Sequence, residues 1–555
     1  MLRAFIRRLT SAGIVMLALV AVAFLLLRLV PGGPYNPNPR TTPEILSKLA
    51  LAFHRDEPIY AQFGRYLWGV LHLDFGPSTA FREYDASAIL FLGAPITVQI
   101  IAWSLIGALV IGIPLGSIAA RRPGAVIDNG LLVLGMIGLA VPVSVGAMAL
   151  TFVFALLLHW LPVGGWDGGW AHGVLPCMAL TVPLAAAVTQ LTRRFLADRA
   201  STAGGGAKAL TRGQLLASLA HVLSGFGSLT AIAVLGSILV ERVFSLPGTG
   251  RYLMQALSVA DFAVVAGTLV FYSAIVVLAG LLGDLGCLLI ERRSGITTRA
   301  RSPMAAPALP APIWPVLRRD RSVMITACAV IAMGLCCWLL PLVLHFGPDD
   351  MDYYATAAAP SWTSGHLLGT DELGRDLLVS LLIGARITLL FGLAPALVAA
   401  AILSARLVAG RLFPRFALGD IWVAGGLLNT LPILILAGVV EAKILADPLA
   451  NLVLPAITTW FLFKAIRHPR TPILFATIVA IPYLMTTEVY LALFGVRVQE
   501  PFVSLGSLIA GAGQDMEFTP WVMIAPVVAL VIAAACVGFI GERIGDVVRV
   551  RIIAA

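Results

Sequence analysis

The chain has 555 residues, of which 59% are hydrophobic and 12% charged, and its mean hydropathy is +0.94. Soluble globular domains carry about 25% charged residues, so this composition excludes them and indicates a polytopic membrane protein. The formal net charge of +9 does not indicate nucleic-acid binding, because the basic residues form short clusters between apolar runs instead of one basic stripe.

Apolar runs bounded by charged residues, Gly or Pro predict about twelve membrane-spanning helices. A span needs about 20 apolar residues, and in lipid its backbone polar groups are satisfied only in a helix. The fold prediction is therefore all-α. In chain order, the predicted spans lie near residues 10–30, 97–120, 130–158, 174–192, 226–245, 262–290, 322–346, 388–408, 419–440, 449–465, 472–493 and 522–542.

The first run follows the basic segment MLRAFIRRLT. It is long for the apolar core of a signal peptide, and no small-x-small cleavage site follows it, which predicts a retained first span. Basic clusters precede span one and follow spans two, four, six, eight, ten and twelve. By the positive-inside rule both termini are predicted to be cytoplasmic, and the segments near 31–96 and 347–387 to be external.

The stretch RSGITTRARSPMAAPALPAPIWP is rich in Pro and Ala and has no hydrophobic periodicity. It predicts a cytoplasmic linker over residues 293–317, with six spans on each side in halves 1–292 and 318–555. A short internal repeat supports two parallel halves. The fifth span of the first half ends in ERVFSLPG and that of the second in EVYLALFG, which pairs Glu241 and Gly248 with Glu488 and Gly495 in spacing.

Longer strings resemble a known family. LRLVPGGP, LHLDFGPSTAFREYDASAI, HGVLPCMALTVPLAAAVTQLTRRF and ERVFSLPGTGRYL in the first half resemble the B-type inner-membrane permease of dipeptide, oligopeptide and nickel ABC importers. HLLGTDELGRDLLVSLLIGARITL and LALFGVRVQEPFVSLGSLIAGA in the second half resemble the C-type permease. These permeases are normally separate chains, so the resemblance implies a fusion of the two.

The resemblance implies a permease, not an enzyme, in an ATP-driven importer of peptides or similar small polar solutes. It implies a multi-pass protein of the bacterial inner membrane, surrounded by membrane lipid. Two ABC ATPase subunits or domains would bind ATP and Mg on the cytoplasmic side, and an extracytoplasmic substrate-binding protein would deliver the solute. No cofactor is expected on this chain itself.

In this family a cytoplasmic loop between spans four and five docks into the ATPase. The first-half loop, residues 195–223, has the family length but lacks Glu-Ala-Ala and carries three adjacent glycines. Its coupling candidates lie at helical spacing, though they could equally pack beneath span five: Leu210, Leu215, Leu216, Leu219 and Leu223. In the second half only RHPR remains near residues 466–471, so this loop is predicted to be lost, and either the first half couples alone or an extra subunit substitutes.

The string GTDELGRD lies in the predicted external segment of the second half. The resemblance makes four of its residues candidates for docking the binding protein: Asp371, Glu372, Arg375 and Asp376. A structural alternative is that Thr370 caps a short interfacial helix, with Asp371 and Glu372 in the first turn favouring its dipole.

Three acids near predicted span ends are further candidates. Glu241 and Glu488 are candidates for an outer gate, and Asp284 lies near the inner end of span six. Close to an interface, snorkelling or a local hydrogen bond reduces the cost of such a charge, so a purely structural role stays open. Gly112, Pro114 and Gly116 in span two, and Pro142 in span three, could break their helices and line a pathway.

No other chemistry is indicated. GGGAKAL lacks the phosphate-binding pattern G-x-x-x-x-G-K-[ST], so ATP hydrolysis is expected in separate chains. The six cysteines have no C-x-x-C spacing and predict neither a disulfide nor a metal site. Two rival functions remain open: a secondary transporter of six plus six spans, and an uncoupled channel or scaffold subunit.

Overall fold

The computed structural model describes residues 2–29, 57–78, 84–121, 125–202, 212–259, 261–294, 318, 321–344, 350–362, 365–412, 473–495, 503–512 and 519–554. The predicted spans near 419–440 and 449–465 lie outside these residues, as do the RHPR segment and the linker from residue 295 to residue 317.

Ten helices form the described part of the first half. They are α1 (Leu2–Leu29), α2 (Ile59–Leu71), α3 (Ala86–Ala120), α4 (Val126–Ala140), α5 (Val143–Leu150), α6 (Trp170–Thr202), α7 (Arg212–Ser224), α8 (Phe226–Val243), α9 (Thr249–Ser258) and α10 (Phe262–Ser294). A π-helical segment, Thr151–Leu157, continues α5.

Five helices form the described part of the second half: α11 (Arg321–Val343), α12 (Leu377–Leu412), α13 (Ile473–Leu493), α14 (Leu505–Ala512) and α15 (Pro520–Ala554). Among the described residues, regular secondary structure is helical apart from isolated β-bridges. The prediction of an all-α polytopic protein is therefore confirmed.

Seven described helices are long and apolar enough to cross a membrane: α3, α6, α8, α10, α11, α12 and α15. The pair formed by α4 and by α5 with its continuation adds an eighth as a broken span, bent by 99°. The break lies at the predicted Pro142, which precedes the first residue of α5 and lacks the N–H that would continue α4. The helices α1 and α13 coincide with the first and eleventh predicted spans.

The second and eighth spans begin earlier than predicted. Helix α3 begins at Ala86, not near residue 97, and α12 at Leu377, not near residue 388, so the end of each predicted external segment is helical. The predicted break at Gly112, Pro114 and Gly116 is wrong, because α3 is continuous through all three. The two glycines instead let α3 approach α6 closely: a Cβ at Gly116 would lie 2.7 Å from Thr192 Cβ, and one at Gly112 2.7 Å from Val188 Cβ.

Two buried apolar clusters interlock across the halves. The larger is built from first-half helices but includes Leu491 and Phe494 from the end of α13. The smaller is built from second-half helices but includes Val145 of α5. Each half therefore completes part of its core with side chains from the other.

Candidate functional site

A buried hydrogen-bond network surrounds Glu241 near the end of α8. The Glu241 side chain is fully buried, Thr97 Oγ1 of α3 donates to its Oε1 at 2.7 Å, and the Gly250 N–H donates to its Oε2 at 2.6 Å. Thr97 Oγ1 in turn accepts from the Thr249 N–H at 2.9 Å, and Thr249 Oγ1 donates to the Tyr272 hydroxyl at 3.0 Å. One carboxyl group thus ties α3 and α8 to the start of α9.

The carboxyl group occupies the N-terminus of α9, where the first backbone N–H groups have no partner within the helix. An acidic side chain at this position satisfies those donors and is favoured by the helix dipole. Glycine is required here by close approach. A Cβ at Gly250 would lie 2.6 Å from Ile238 Cα and 2.9 Å from Glu241 Oε2, and one at Gly248 would collide with the Glu241 carboxyl group.

The second half contains an equivalent network around Glu488 of α13. Ser504 Oγ donates to Glu488 Oε1 at 2.5 Å and Thr388 Oγ1 of α12 donates to Oε2 at 3.1 Å. Thr388 Oγ1 accepts from the Leu505 N–H at 3.0 Å, and Gly506 lies against the Glu488 carboxyl group, where a Cβ would lie 2.5 Å from Oε1. Glu488 is 5% exposed. The same elements meet in the same order, with α12, α13 and α14 in place of α3, α8 and α9.

The predicted repeat is correct for the two glutamates but wrong for the glycines. Gly248 precedes the first residue of α9, and the residue in that position before α14 is Ser504. Gly495 instead follows the end of α13 with φ of +91°. In the second half the segment VRVQEPFV lies between Gly495 and Ser504. Matching residues only by their distance from the glutamate therefore pairs Gly248 with Gly495 instead of Ser504. Both glutamates make local hydrogen bonds, as expected if their role is purely structural. A gating role for them stays a prediction.

The two halves meet beside these networks. Arg242, the neighbour of Glu241, donates from Nη1 to the Leu493 carbonyl at the end of α13 at 3.2 Å. Tyr490 and Leu493 of α13 pack against the larger apolar cluster, which first-half helices build. The carboxylate networks are thereby attached to the contact between the halves.

A cavity of about 50 Å³ lies farther along the same contact. Helices α4 and α6 of the first half and α13 and α15 of the second form its walls. Its polar lining residues are Gln190, Tyr483 and Thr486. The remaining lining residues are Met136, Leu139, Ala140, Pro482, Ala534 and Gly538.

A buried ion pair fixes α4 to α6. Arg193 donates from Nε and Nη2 to the two carboxylate oxygens of Asp128 at 2.5 and 2.8 Å, and the side chains are 6% and 1% exposed. A bidentate pair of this kind holds both position and orientation. Arg193 belongs to the basic cluster that follows predicted span four, and no motif in the sequence pointed to Asp128. A single acid within the apolar run that follows Pro123 was the available signal.

The residue after Asp128 contacts the other half. Arg543 Nη2 of α15 donates to Asn129 Oδ1 at 2.7 Å, and the Arg543 guanidinium also lies 5.2 Å from the Phe539 ring centroid. No sequence pattern linked these residues, which lie more than 400 positions apart.

The predicted coupling region is described on both sides of residues 203–211, so Leu210 lies outside the described residues. On α7 the buried positions are Ala217, Ser218, Ala220 and Val222. Of the predicted leucines on this helix, Leu216, Leu219 and Leu223 are half-buried and Leu215 is 37% exposed. Leu223 packs against Gly283 and Gly286 of α10. Contact of these leucines with an ATPase stays a prediction.

An aromatic stack joins α6 to α7. The rings of Phe195 and His221 are parallel within 12°, with centroids 4.5 Å apart, and the Arg199 guanidinium lies 4.9 Å from the Phe195 ring centroid. The inner end of α6 is thereby packed against the helix of the coupling region. Asp284 of α10 is half-buried and interacts with neighbouring groups.

The GTDELGRD segment, which was predicted to be external, is a turn and not the predicted short helix capped by Thr370. Asp371 Oδ1 accepts from the Leu373 and Arg375 N–H groups at 2.9 and 2.8 Å, which is the local bonding of an Asx turn. Gly374 has φ of +77°, a conformation that disfavours a helix here and that glycine adopts without strain. Asp371 also pairs with Arg375, N to O 3.3 Å.

Asp376, not Thr370, caps the following helix. Its Oδ1 accepts from the Val379 N–H at 3.0 Å, two residues inside α12. Its other oxygen lies 2.8 Å from Nδ1 of His366, which is 2% exposed. Thr370 Oγ1 donates to the Ala355 carbonyl and accepts from the Ala358 N–H at 2.8 Å. Of the four docking candidates, Glu372 is exposed. Asp371 and Arg375 form the contacts of the turn, and Asp376 caps α12.

No group of three or more potential metal-ligating side chains occurs in the described part of the chain. All six cysteines lie within it, and none forms a disulfide bond.

Comparisons with known proteins match part of the chain closely. The family model for the binding-protein-dependent transport system inner membrane component matches residues 112–203. The dipeptide transport system permease protein DppB of Bacillus subtilis (strain 168) is 30% identical over 302 residues, which are 53% of this chain and 98% of that protein. The oligopeptide transport system permease protein OppB of Escherichia coli (strain K12) is 29% identical over 285 residues, 50% of this chain and 93% of that protein. Nearly the whole of each relative therefore corresponds to about half of this chain.

Proposed function

The chain belongs to the family of inner-membrane permeases of dipeptide and oligopeptide ABC importers, and we propose that it supplies both membrane halves of one importer in a single polypeptide. It is a permease subunit of a binding-protein-dependent ABC peptide importer. A role as a secondary transporter is disfavoured by this relationship.

The repeated carboxylate network is the observation that carries the proposal of two halves. The relatives account for about half of the chain, and the described second half repeats the hydrogen bonds among Thr97, Glu241 and the Thr249 N–H with Thr388, Glu488 and the Leu505 N–H. A long-range arrangement of this kind, built from three separate helices in each half, is not a consequence of apolar composition. It supports a second permease unit of the C type after the linker.

The cavity between the halves is the proposed location of the solute pathway. Both halves line it, and three of its lining residues are polar among apolar side chains, a surface suited to the neutral polar backbone of a short peptide. Its volume of about 50 Å³ is far below that of a dipeptide site, so a passing solute requires α4 and α6 to separate from α13 and α15. Such separation is the expected role of the energised conformational change.

Separate ATPase chains and an external binding protein are the proposed partners. The relatives belong to importers of this kind, and the chain carries no phosphate-binding loop. Both termini are proposed to be cytoplasmic, in the membrane orientation given by the basic clusters. ATPase contact is proposed to be asymmetric, entering mainly through α7 of the first half, either alone or with an extra subunit on the second half.

The proposed function is tested by native mass spectrometry and transport on the complex purified with its natural partners. One copy of this chain with two ATPase subunits or domains, and no other permease, is the expected composition. Vesicles containing the complex and binding protein should accumulate peptide only with ATP, and the chain alone should show neither ATP hydrolysis nor uptake. A second permease chain in the complex would contradict the two-halves proposal, and uptake driven by a proton or sodium gradient alone would restore the secondary transporter.

A further inference from the structure

The first turn of α4 is held on two sides by polar contacts to different helices. Asp128 accepts the bidentate bond from Arg193 of α6, and the next residue, Asn129, accepts from Arg543 of α15 at 2.7 Å. Successive helical residues point about 100° apart, so one turn reaches two neighbours on different sides. One neighbour belongs to the first half and the other to the second.

The first contact leads to the ATPase side. Helix α6 is continuous from Gln190, which lines the cavity, through Arg193 to Thr202. Beyond Arg193 its end stacks through Phe195 on His221 of α7. A displacement of α7 therefore moves the inner end of α6, and the buried ion pair transmits that movement to α4.

The second contact leads into the half whose own loop is predicted to be lost. Only RHPR separates the fourth and fifth predicted spans of that half, so its helices need another connection to ATPase movement. Helix α15 lines the cavity together with α13, and Arg543 lies on α15 toward its C-terminal end from the cavity residue Gly538. A pull on Arg543 therefore acts on a wall of the cavity.

We propose that the Asp128–Asn129 turn is a mechanical joint that passes movement of the coupling region from the first half to the second. The inference rests on the proposed function and deepens it, by naming how one coupling loop moves both walls of the pathway. Arg193 and Arg543 are positioning residues, since each holds α4 against a helix of one half and neither contacts the ATPase. Without the Asn129–Arg543 bond, α6 and α7 move while α15 stays in place.

The test measures ATP hydrolysis and peptide uptake on the same complex in vesicles. Asn129→Leu removes the acceptor at similar volume, and uptake per ATP hydrolysed should fall about tenfold, since the loss of a hydrogen bond to a charged group corresponds to at least that factor. ATP hydrolysis should stay within about twofold of wild type, because that reaction occurs in other chains. Asn129→Asp keeps an oxygen acceptor opposite Arg543 and should retain coupling.

Arg543→Met should reproduce the effect, and the double variant should be no worse than either single variant, because both remove one interaction. Arg242→Met is the matched control, since it removes another arginine bond between the halves, to the Leu493 carbonyl, away from the joint. Elution as a single species with bound ATPase identifies folded variants. Should Asn129→Leu not fold, Arg543→Met against Arg242→Met gives the same comparison.

Unchanged uptake per ATP in the folded joint variants would overturn the joint. So would an equal loss in Arg242→Met, or losses that add in the double variant. A wild-type complex that lacks ATP-driven uptake would instead overturn the proposed function, and the joint with it.

Discussion

Removing one hydroxyl group from the first carboxylate network should destabilise the protein measurably. Thr97 is fully buried, and its hydroxyl both donates to Glu241 and accepts from the Thr249 N–H. Thr97→Val keeps the shape and leaves two buried polar groups without this partner. Each such group costs about 1–3 kcal/mol, so the free energy of unfolding should fall by about 2–6 kcal/mol.

The chain offers a closely matched control. Thr192 of α6 is also fully buried, but its hydroxyl has no hydrogen-bond partner among the described residues. Thr192→Val therefore removes an unsatisfied polar group and should leave the free energy of unfolding unchanged or raise it. Thr388→Val should have an effect of similar size, because the Leu505 N–H loses its acceptor and Glu488 Oε2 loses the Thr388 hydroxyl.

The assay is unfolding of the purified variants in mixed micelles, titrated with SDS and followed by helical circular dichroism. Thr97→Val and Thr388→Val should both be less stable than Thr192→Val. Equal stability of the Thr97 and Thr192 variants would refute the reasoning that these hydrogen bonds hold the helices together.

Three further predictions concern the ion pair, the external turn and the coupling region. Asp128→Leu or Arg193→Met alone should lower the free energy of unfolding by about 3–5 kcal/mol, and the double variant should recover most of it, because each single variant removes this ion-pair partner from a buried charge whereas the double variant removes both charges. Additive losses in the same titration would contradict this. Glu372→Lys should weaken binding-protein docking more at low salt than at high salt, because exposed charges are screened within about 10 Å at 0.1 M. Asp371→Lys should also disrupt the turn. Docking of both variants that does not depend on salt would contradict a docking role for these residues. In a background without the native cysteines, Leu215→Cys should crosslink to a cysteine in the ATPase cleft, with the fully buried Ala217→Cys as the negative control and His468→Cys testing the second half; equal crosslinking at residues 215 and 468 would show that coupling is symmetric.

The helical class and most span positions were predictable from the amino-acid sequence, because a span depends only on its own residues. About 20 apolar residues in lipid have no stable alternative to a helix. The sequence also located the break at Pro142, since a missing N–H acts on its own helix. The repeat found both glutamates, and the motif strings indicated the family. The sequence did not predict the early starts of α3 and α12. Gly93 and Pro95 before the predicted start of the one, and Gly384 and Arg386 before that of the other, mark the end of an apolar run in the sequence, although both helices continue through them.

The hydrogen-bond and ion-pair partners of the polar side chains became apparent in the folded structure, because these partners lie far away along the chain. Thr97 meets Glu241 across 144 positions, Arg193 meets Asp128 across 65, and Arg543 meets Asn129 across 414. Spacing could not reveal that Ser504, not Gly495, corresponds to Gly248, nor that Gly112 and Gly116 pack helices together instead of breaking one. A hydrogen bond between helices depends on the positions of both in space, and periodicity along one helix specifies only which faces are apolar.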